Sequence, residues 1–379
     1  MVAYHQLPHQ GIQTLAPYVP GKSAETVAKE QGLVEVIKLA SNENPLGTSP
    51  AVLEALQRLT PHEIATYQIT SIHPFRDILA NTLFVDKEML LLSNGSDTIF
   101  YYILLSFALH SGKRIVTHQK AFIQYEIQAK TLGIPIYLTH LNTDLSVDVN
   151  ALIEAATPET AIIFLANPNN PTGLLIEQSE IVRLLSSISP EIIVVLDEAY
   201  FEYLPASKRS DIISLLQHHP NLIVTRTFSK IYGLASLRLG YAIANSALIS
   251  ILYRVQLPFI VNLAAFTAAE AALKDRAFVE HSLINNTQGM EQLTQGLSKL
   301  GLKQLPSFAN FVTFDTGFSA RKIDLALQKQ GIIVRPLEPY GLTQYLRVTI
   351  GTPEQNRRFL SALSQVLQEL QYDTISEKM

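Results

Sequence analysis

The sequence predicts an α/β protein with a large domain, in which helices cover a mainly parallel sheet, and a smaller α/β domain. Between about residues 51 and 270, short runs rich in Ile, Leu and Val alternate with amphipathic stretches. Strands that are buried on both faces read as continuous apolar runs, so this alternation indicates a covered parallel sheet. Near residue 275 the pattern changes to a long helical stretch and a shorter set of strands and helices.

Seven runs predict the strands of the large domain: "EMLLLS", "RIVTH", "PIYLTH", "AIIFLA", "IIVVLD", "LIVTRT" and "LGYAIA". The stretch "IFYYILLSFAL" (99–109) predicts a helix buried on all sides, because it is far shorter than the ~20 residues of a membrane span. The stretch "EQSEIVRLLSSIS" (177–189) has the spacing of an amphipathic helix.

The smaller domain comes after the long helix "AFVEHSLINNTQGMEQLTQGLSKLG". We expect strands at "ANFVTFD", "IIVRPL" and "YLRVTIG" and a helix at "ARKIDLALQKQG". The closing helix begins at a capping box, with Thr352 as N-cap, Pro353 at the first position and Gln355 as its partner. We therefore divide the chain into an N-terminal arm (1–50) that packs on a cleft or on a dimer partner, a large domain (51–272) and a small C-terminal domain (273–379).

Composition excludes several functional classes. With a net charge of −4 and a pI near 6.2, the chain has no basic footprint for nucleic acid or for an anionic membrane surface. The absence of cysteine excludes disulfides, thiolate nucleophiles and Cys-ligated metals, and the ten histidines form no metal-binding motif, so no metal is expected. The N-terminus lacks a signal-peptide pattern, and we expect a cytoplasmic protein.

Ligands of open α/β sheets lie beyond the carboxyl ends of the strands, so candidate binding groups should come directly after the apolar runs. "NGSD" (94–97) opens the buried helix; Gly95 allows a turn, Ser96 can cap, and the first amides suit an anion such as phosphate. An ordinary helix start would look the same. "NPNNPTG" (167–173) is either a surface turn or a stiff turn that presents amide donors.

Two more segments place reactive groups at the same edge. Asp197 in "DEAY" is either a helix cap or a carboxylate that needs a cation, because it ends an apolar strand. "TFSKIYGLASLRLGY" continues from the next strand and supplies Thr227, Ser229, Lys230 and Arg238. Together the segments supply a phosphate site, amide donors, an acid and a lysine. Pyridoxal 5′-phosphate needs this set: an amine for its aldehyde, a carboxylate for its ring nitrogen and donors for its oxygens and phosphate.

These motifs resemble those of fold-type I pyridoxal-phosphate-dependent aminotransferases, and most closely the histidinol-phosphate aminotransferase family. The resemblance covers nearly the whole chain through "LAPYVPG", "KLASNENPLG", "NGSD", "NPNNPTG", "DEAY", "TFSKIYGLASLRLGY", "SFANFVTF" and "YLRVTIGTPEQN". It implies transamination between histidinol phosphate and 2-oxoglutarate, with glutamate as the other product, in histidine biosynthesis. Aromatic aminotransferases and threonine-phosphate decarboxylases are similar too, so both remain alternatives.

The resemblance also implies residue roles. Lys230 would bond to the cofactor's aldehyde, Asp197 would pair with its ring nitrogen, and Asn170 and Tyr200 would donate to its phenolate oxygen. Phe122 would stack on the ring. The phosphate would be held by Gly95, Ser96, Thr227, Ser229 and Arg238, and by Tyr67 of the neighbouring subunit of a homodimer. Asp97 of "NGSD" is counted among the residues that bind the cofactor, without a more specific role.

For the substrate, the resemblance assigns its anionic end to Arg335 and Arg347, with Tyr18 nearby. Arg347 alternates with the apolar residues of its strand, so its side chain faces away from theirs. Asn44 in "SNENP" belongs either to a polar turn or to a gate over the substrate. Tyr125 is expected to be a core residue.

Overall fold

The computed structural model describes residues 3–17 and 21–376. The strands are β1 (Ile37–Lys38), β2 (Leu90–Ser93), β3 (Arg114–His118), β4 (Ile136–Thr139), β5 (Thr160–Ala166), β6 (Ile193–Asp197), β7 (Leu222–Thr227), β8 (Gly240–Ala244), β9 (Lys303–Gln304), β10 (Phe311–Asp315), β11 (Ile332–Ile333), β12 (Arg335–Leu337) and β13 (Leu342–Thr349). Each of the seven runs predicted for the large domain overlaps one of these strands, and "RIVTH" and "LIVTRT" coincide with β3 and β7.

The helices connect and cover these strands. They are α1 (Gln10–Gln13), α2 (Ala24–Gln31), α3 (Pro50–Gln57), α4 (Pro61–Ile64), α5 (Phe75–Leu83), α6 (Ser96–Phe107), α7 (Ile123–Thr131), α8 (Val149–Ala155), α9 (Gln178–Ser187), α10 (Ile212–His218), α11 (Ser246–Tyr253), α12 (Leu263–Lys274), α13 (Arg276–Lys299), α14 (Ala320–Lys329) and α15 (Pro353–Ser376). In the described part of the chain, none is both long and apolar enough to cross a membrane.

The chain forms two compact units. The first unit comprises Met1–Pro17, Thr48–Asn170 and Leu175–Phe278, and the second comprises Tyr18–Gly47, Pro171–Leu174 and Val279–Met379. The stretch expected as an N-terminal arm is thus shared between the two units. The segment "NPNNPTG" also passes from one unit to the other, after Asn170.

The first unit contains a seven-stranded sheet in the order β2-β8-β7-β6-β5-β3-β4. Only β8 is antiparallel to its neighbours; β7, β6, β5, β3 and β4 pair in parallel. The predicted mainly parallel sheet is therefore confirmed. Parallel pairing brings the carboxyl ends of β5, β6 and β7 to one edge, where Ala166, Asp197 and Thr225 lie side by side.

Both faces of this sheet are covered, which explains its continuous apolar strands. In β5, Ile163 and Leu165 pack into one hydrophobic core, whereas Ile162 and Phe164 pack into the core on the opposite face. Alternate side chains of a strand point to opposite faces, so a strand between two helical layers must be apolar throughout. The predicted buried helix is α6, whose Phe100 belongs to the second core.

The second unit has its own antiparallel sheet, in the order β12-β13-β10-β9, and a short parallel pair of β1 with β11. The run "IIVRPL" differs from the predicted single strand. Its first part, β11, pairs with residues 37–38, while its second part, β12, pairs with β13. The predicted capping box of α15 is confirmed by reciprocal hydrogen bonds between Thr352 and Gln355, at 2.9 and 3.3 Å.

Candidate active site

The candidate site of the first unit lies where its parallel strands end. Asp197 is the last residue of β6 and Thr227 the last of β7. Asn170 lies in a buried turn after β5, and Gly95 comes shortly after β2. The strands β5, β6 and β7 are neighbours in the sheet, so their carboxyl ends lie together. The end of β2 reaches the same edge because β8 lies between β2 and β7 and is antiparallel to both.

Asp197 is a buried carboxylate that accepts hydrogen bonds from neutral donors. Its side chain is 4% exposed. The Tyr125 hydroxyl donates to Oδ2 at 2.8 Å and the Thr225 hydroxyl donates to Oδ1 at 3.2 Å. Burial raises the pKa of Asp197 to about 7, although both hydroxyls act to lower it. Because neutral hydroxyls do not balance the charge of an ionised carboxylate, the site favours a ligand that brings a positive charge to it.

The N-terminus of α6 forms a close-fitting anion cup, by which we mean Gly95, Ser96 and Arg238. Gly95 has φ +75°, and a Cβ there would lie 2.5 Å from Nη2 of Arg238. Gly240 of β8 passes so close that a Cβ on it would lie 2.4 Å from the backbone nitrogen of Ser96. The free amides of a first helical turn and a guanidinium attract an anion such as phosphate.

Hydroxyl groups and one acid adjoin this cup. Arg238 has φ +57° and donates from Nη1 to the Ala235 carbonyl at 3.1 Å and to the Ser229 hydroxyl at 3.4 Å. The Thr227 hydroxyl accepts from the backbone nitrogen of Ser229 at 3.1 Å. Asp97 lies 3.7 Å from Arg238. Burial raises the pKa of Asp97, but its side chain is 43% exposed, so water screens the shift.

Lys230 lies beside these groups. Its Nζ is 5.7 Å from the ring centre of Tyr200, which is buried, and its positive charge acts to lower the pKa of Asp97. Phe122 is the N-cap of α7, and its ring is 5.7 Å from that of Tyr125. An amine, a buried acid and an anion cup thus occupy one edge of the first unit.

A buried ion pair lies directly behind Asp197. The next residue, Glu198, is fully buried and accepts two bonds from Arg226, at 2.9 and 2.7 Å, and one from Ser210 at 2.8 Å. The Arg226 guanidinium also lies 3.5 Å from the ring centre of Phe201. Burial raises the pKa of the neighbouring Glu202 to about 7. This network fixes the backbone that carries Asp197.

Three further residues were predicted for the site: Tyr67, Tyr18 and Asn44. Tyr67 is 80% exposed and stacks on Phe259 with ring centres 4.7 Å apart; in the described chain it makes no hydrogen bond to the other candidate residues. Tyr18 lies outside the described residues. Asn44, in the second unit, donates to the Ser282 hydroxyl at 3.0 Å and accepts from the backbone nitrogen of Leu46 at 3.0 Å, which is the pattern of a polar turn.

The second unit contains a pair of arginines that face each other across two strands. Arg335 of β12 and Arg347 of β13 are direct partners in the antiparallel ladder, so their side chains leave the same face of the sheet. Arg347 is 7% exposed, donates to the Ala40 carbonyl at 2.8 Å and lies 5.2 Å from the ring centre of Phe311. Two guanidinium groups on one face of the sheet can together bind an anionic ligand, and Asp324 also lies close enough for its charge to act on Arg335.

Two residues that contact the candidate site were not predicted for it from the sequence. Tyr125, expected in the core, is indeed buried there, but it also donates to Asp197. Gly240 defines the close approach of β8 to the cup. The one sequence signal for Tyr125 is its place one helical turn after Phe122, and that spacing does not show where its hydroxyl points.

Comparisons with known proteins identify the family of the chain. The sequence model of the family "Aminotransferase class I and II" matches residues 34–363. The chain is 52% identical to "Histidinol-phosphate aminotransferase 2" of Legionella pneumophila (strain Lens), over 96% of this chain and 98% of that protein. It is 41% identical to a protein of the same name from Pseudomonas aeruginosa, over 95% and 98%.

A solved structure is similar as well. It is the histidinol-phosphate aminotransferase of Sinorhizobium meliloti in complex with pyridoxal-5′-phosphate, with a TM-score of 0.87 and 26% identity over 96% of this chain and 98% of that one. The match of the family model over most of the chain and the identity to full-length relatives lead to the same assignment. The chain belongs to the family of class I and II aminotransferases.

Proposed function

We propose that this chain is a pyridoxal-phosphate-dependent aminotransferase that transfers an amino group between histidinol phosphate and 2-oxoglutarate, as a step of histidine biosynthesis. The observation that carries the proposal is the single sheet edge at which Asp197, Lys230 and the anion cup lie together. The names of the similar proteins support the choice of substrate.

The residues fit the cofactor in two respects. The desolvated carboxylate of Asp197, held by hydroxyls, would gain from the positive charge of a protonated ring nitrogen. The cup would receive the phosphate, since its guanidinium, hydroxyls and first-turn amides are all donors and Gly95 leaves no side chain in the way. We propose that Phe122 stacks on the ring and that Gly95, Ser96, Thr227, Ser229 and Arg238 hold the phosphate. Asp97, whose carboxylate lies 3.7 Å from Arg238, would belong to the cofactor site without contacting the phosphate through its side chain.

The chemistry is divided between the cofactor and the protein. When bound, pyridoxal phosphate takes up the electron pair left at the substrate's α-carbon. Lys230 would supply the amine for the cofactor's aldehyde, and its free amine would carry the α-proton of the substrate. Asp197 would keep the ring nitrogen protonated, and Asn170 and Tyr200 would donate to the ring oxygen. A neutral lysine amine and an ionised Asp197 are therefore both required.

Arg335 and Arg347 would bind the anionic end of either substrate. Histidinol phosphate carries a phosphate and 2-oxoglutarate a second carboxylate, and the repulsion between the opposed guanidinium groups would be relieved by each. We expect Arg347→Lys to weaken the binding of both substrates by about 10- to 150-fold. This corresponds to the ~1.5–3 kcal/mol of one charge-assisted hydrogen bond. Arg321→Lys, on the exposed face of the same unit, is the matched control and should change neither.

The test is a single-turnover measurement with a panel of amino donors. We expect histidinol phosphate and glutamate to shift the cofactor's absorption without release of CO₂, and Arg347→Lys to slow both reactions without changing the resting spectrum. A preference for phenylalanine or tyrosine would favour an aromatic aminotransferase. Release of CO₂ from phosphothreonine would favour a decarboxylase.

A homodimer and a cytoplasmic location belong to the same proposal. The exposed Tyr67 would complete the phosphate site of the partner subunit. Mixing Lys230→Ala with Tyr67→Phe tests this, because a hybrid dimer would hold one intact site and one site with both defects. Activity regained on mixing would support a shared site, whereas a fully active monomer would exclude it.

A further inference from the structure

Tyr125 is held rigidly inside the first unit. Its side chain is fully buried in α7. Its ring stacks on Phe164, with centres 4.8 Å apart and planes at 18°, and it meets Phe100 and Phe122 edge-on at 5.1 and 5.7 Å. Three aromatic contacts leave the phenol one orientation, and in that orientation its hydroxyl donates to Oδ2 of Asp197 at 2.8 Å.

A structural role does not account for the hydroxyl. Phenylalanine would make the same ring contacts without a hydroxyl. A buried phenol needs a hydrogen-bond acceptor, but a backbone carbonyl would serve, and burying it costs less desolvation energy than burying the carboxylate of Asp197. The hydroxyl also helps to orient the carboxylate. Tyr125 donates to one carboxylate oxygen and Thr225 to the other, so the pair fixes the plane of the carboxylate.

The electrostatic balance identifies the more important donor. Burial is the largest effect on the pKa of Asp197, and the Tyr125 bond is the largest effect that opposes it, ahead of Thr225 and the backbone at Ala199. The negative charge of Asp97 acts with burial to keep Asp197 protonated. Without the phenol, the neutral carboxyl would be favoured further. The Tyr125 bond is also shorter than the Thr225 bond, at 2.8 against 3.2 Å.

We propose that Tyr125 is a positioning residue that keeps Asp197 ionised and oriented toward the cationic ring nitrogen of the cofactor. This inference rests on the proposed function. Tyr125 does not touch the reacting atoms in this proposal; it acts through the carboxylate. The consequence is specific: the hydroxyl should matter for a ligand with a ring nitrogen and not for a ligand without one.

The experiment measures the equilibrium affinity of the cofactor-free full-length chain for two ligands. One is pyridoxal phosphate, and the other is its analogue with C–H in place of the ring nitrogen. For Tyr125→Phe we expect the Kd of pyridoxal phosphate to rise about 10- to 150-fold, the range of one hydrogen bond to a charged group. The Kd of the analogue should change less than about twofold. Tyr253→Phe, which removes a hydroxyl bonded to the Leu90 carbonyl, should change neither.

The outcomes separate the inference from the proposed function. If the wild type binds both ligands equally, or neither, the assignment of Asp197 to a ring nitrogen fails and the proposed function with it. If the wild type prefers pyridoxal phosphate but Tyr125→Phe loses affinity for both ligands alike, the hydroxyl is structural and the inference fails. Should Tyr125→Phe not fold, 3,5-difluorotyrosine at position 125 keeps the ring and donates more strongly. It should then lower the Kd of pyridoxal phosphate and leave the Kd of the analogue unchanged. An unchanged Kd for pyridoxal phosphate would overturn the inference.

Discussion

Adding one methyl group at Gly240 should displace the anion cup. Gly240 begins β8 and pairs with Ser93 of β2 and Thr227 of β7, so its own backbone is held on both sides. A Cβ built on it lies 2.4 Å from the nitrogen of Ser96 and 2.7 Å from the carbonyl carbon of Gly95. Both atoms are backbone, so no side-chain rotation relieves the clash. In Gly240→Ala the start of α6 must move away from the sheet.

The size of the movement can be worked out from the contact distance. Ordinary carbon contacts begin near 3.4 Å, so the Ser96 nitrogen must move by about 1 Å. That is enough to break one hydrogen bond from a first-turn amide to a phosphate, since such bonds span only about 2.7–3.2 Å. The loss corresponds to ~1.5–3 kcal/mol, or about 10- to 150-fold in affinity. Overpacking itself should cost stability by about 1–3 kcal/mol.

The assay compares pyridoxal phosphate with pyridoxal, which lacks the phosphate. Titration of the cofactor-free chain should show the predicted loss for pyridoxal phosphate and little change for pyridoxal. Gly112→Ala is the matched control. A Cβ at Gly112 would have no atom within 4 Å, so this variant adds only the backbone strain of an alanine at a φ of +72°. Equal losses for both ligands, or an unchanged Kd for pyridoxal phosphate, would refute the placement of the phosphate at this cup.

Three other contacts lead to predictions of their own. Borohydride reduction of the cofactor-loaded protein should attach the cofactor to Lys230, as peptide mass spectrometry would detect, and attachment to another lysine would contradict the site. Glu198→Gln should lower the free energy of unfolding by about 3–5 kcal/mol because it removes the carboxylate that is hydrogen-bonded to the buried guanidinium of Arg226 and leaves only the partly protonated Glu202 as a countercharge. The surface change Glu180→Gln should cost less than about 1 kcal/mol, and equal losses in denaturant melts would count against the buried pair. Burial lowers the pKa of His118 to about 4, so relative to His118→Gln the wild type should lose up to about 3 kcal/mol as the pH falls from 6.5 through 4. Parallel pH profiles of the two proteins would show that His118 is not responsible.

The sequence predicted the elements whose pattern is local. β3 and β7 coincide with the runs "RIVTH" and "LIVTRT" because each is an uninterrupted strand of the buried sheet. The run "IIVRPL" was predicted wrongly as one strand. Its break is decided by pairing with residues 37–38, which lie far away in the chain. Pairing of that kind leaves no trace in the periodicity of the run itself.

In the candidate site, too, the local pattern predicts some residues, whereas other contacts depend on packing between distant parts of the chain. Asp197 and Thr227 could be placed because each ends a predicted strand of one sheet, and parallel pairing brings those ends to one edge. The contact of Tyr125 with Asp197 depends on how α7 packs on the sheet, where the Tyr125 ring stacks on Phe164 of β5. The closeness of Gly240 to Ser96 depends on β8 lying between β2 and β7. Both are tertiary relations, and composition and spacing along the chain do not determine them.

The position of β8 also constrains how the protein is made. Within the described residues β2 has one strand neighbour, β8, so the residues from 94 to 239 must be synthesised before β2 can join the sheet. During synthesis the helices and strands between β2 and β8 can form first, while β2 still has no strand partner. The cup at the start of α6 is therefore among the last parts of the first unit to assemble. A nascent chain released before residue 240 would expose an apolar strand that invites aggregation.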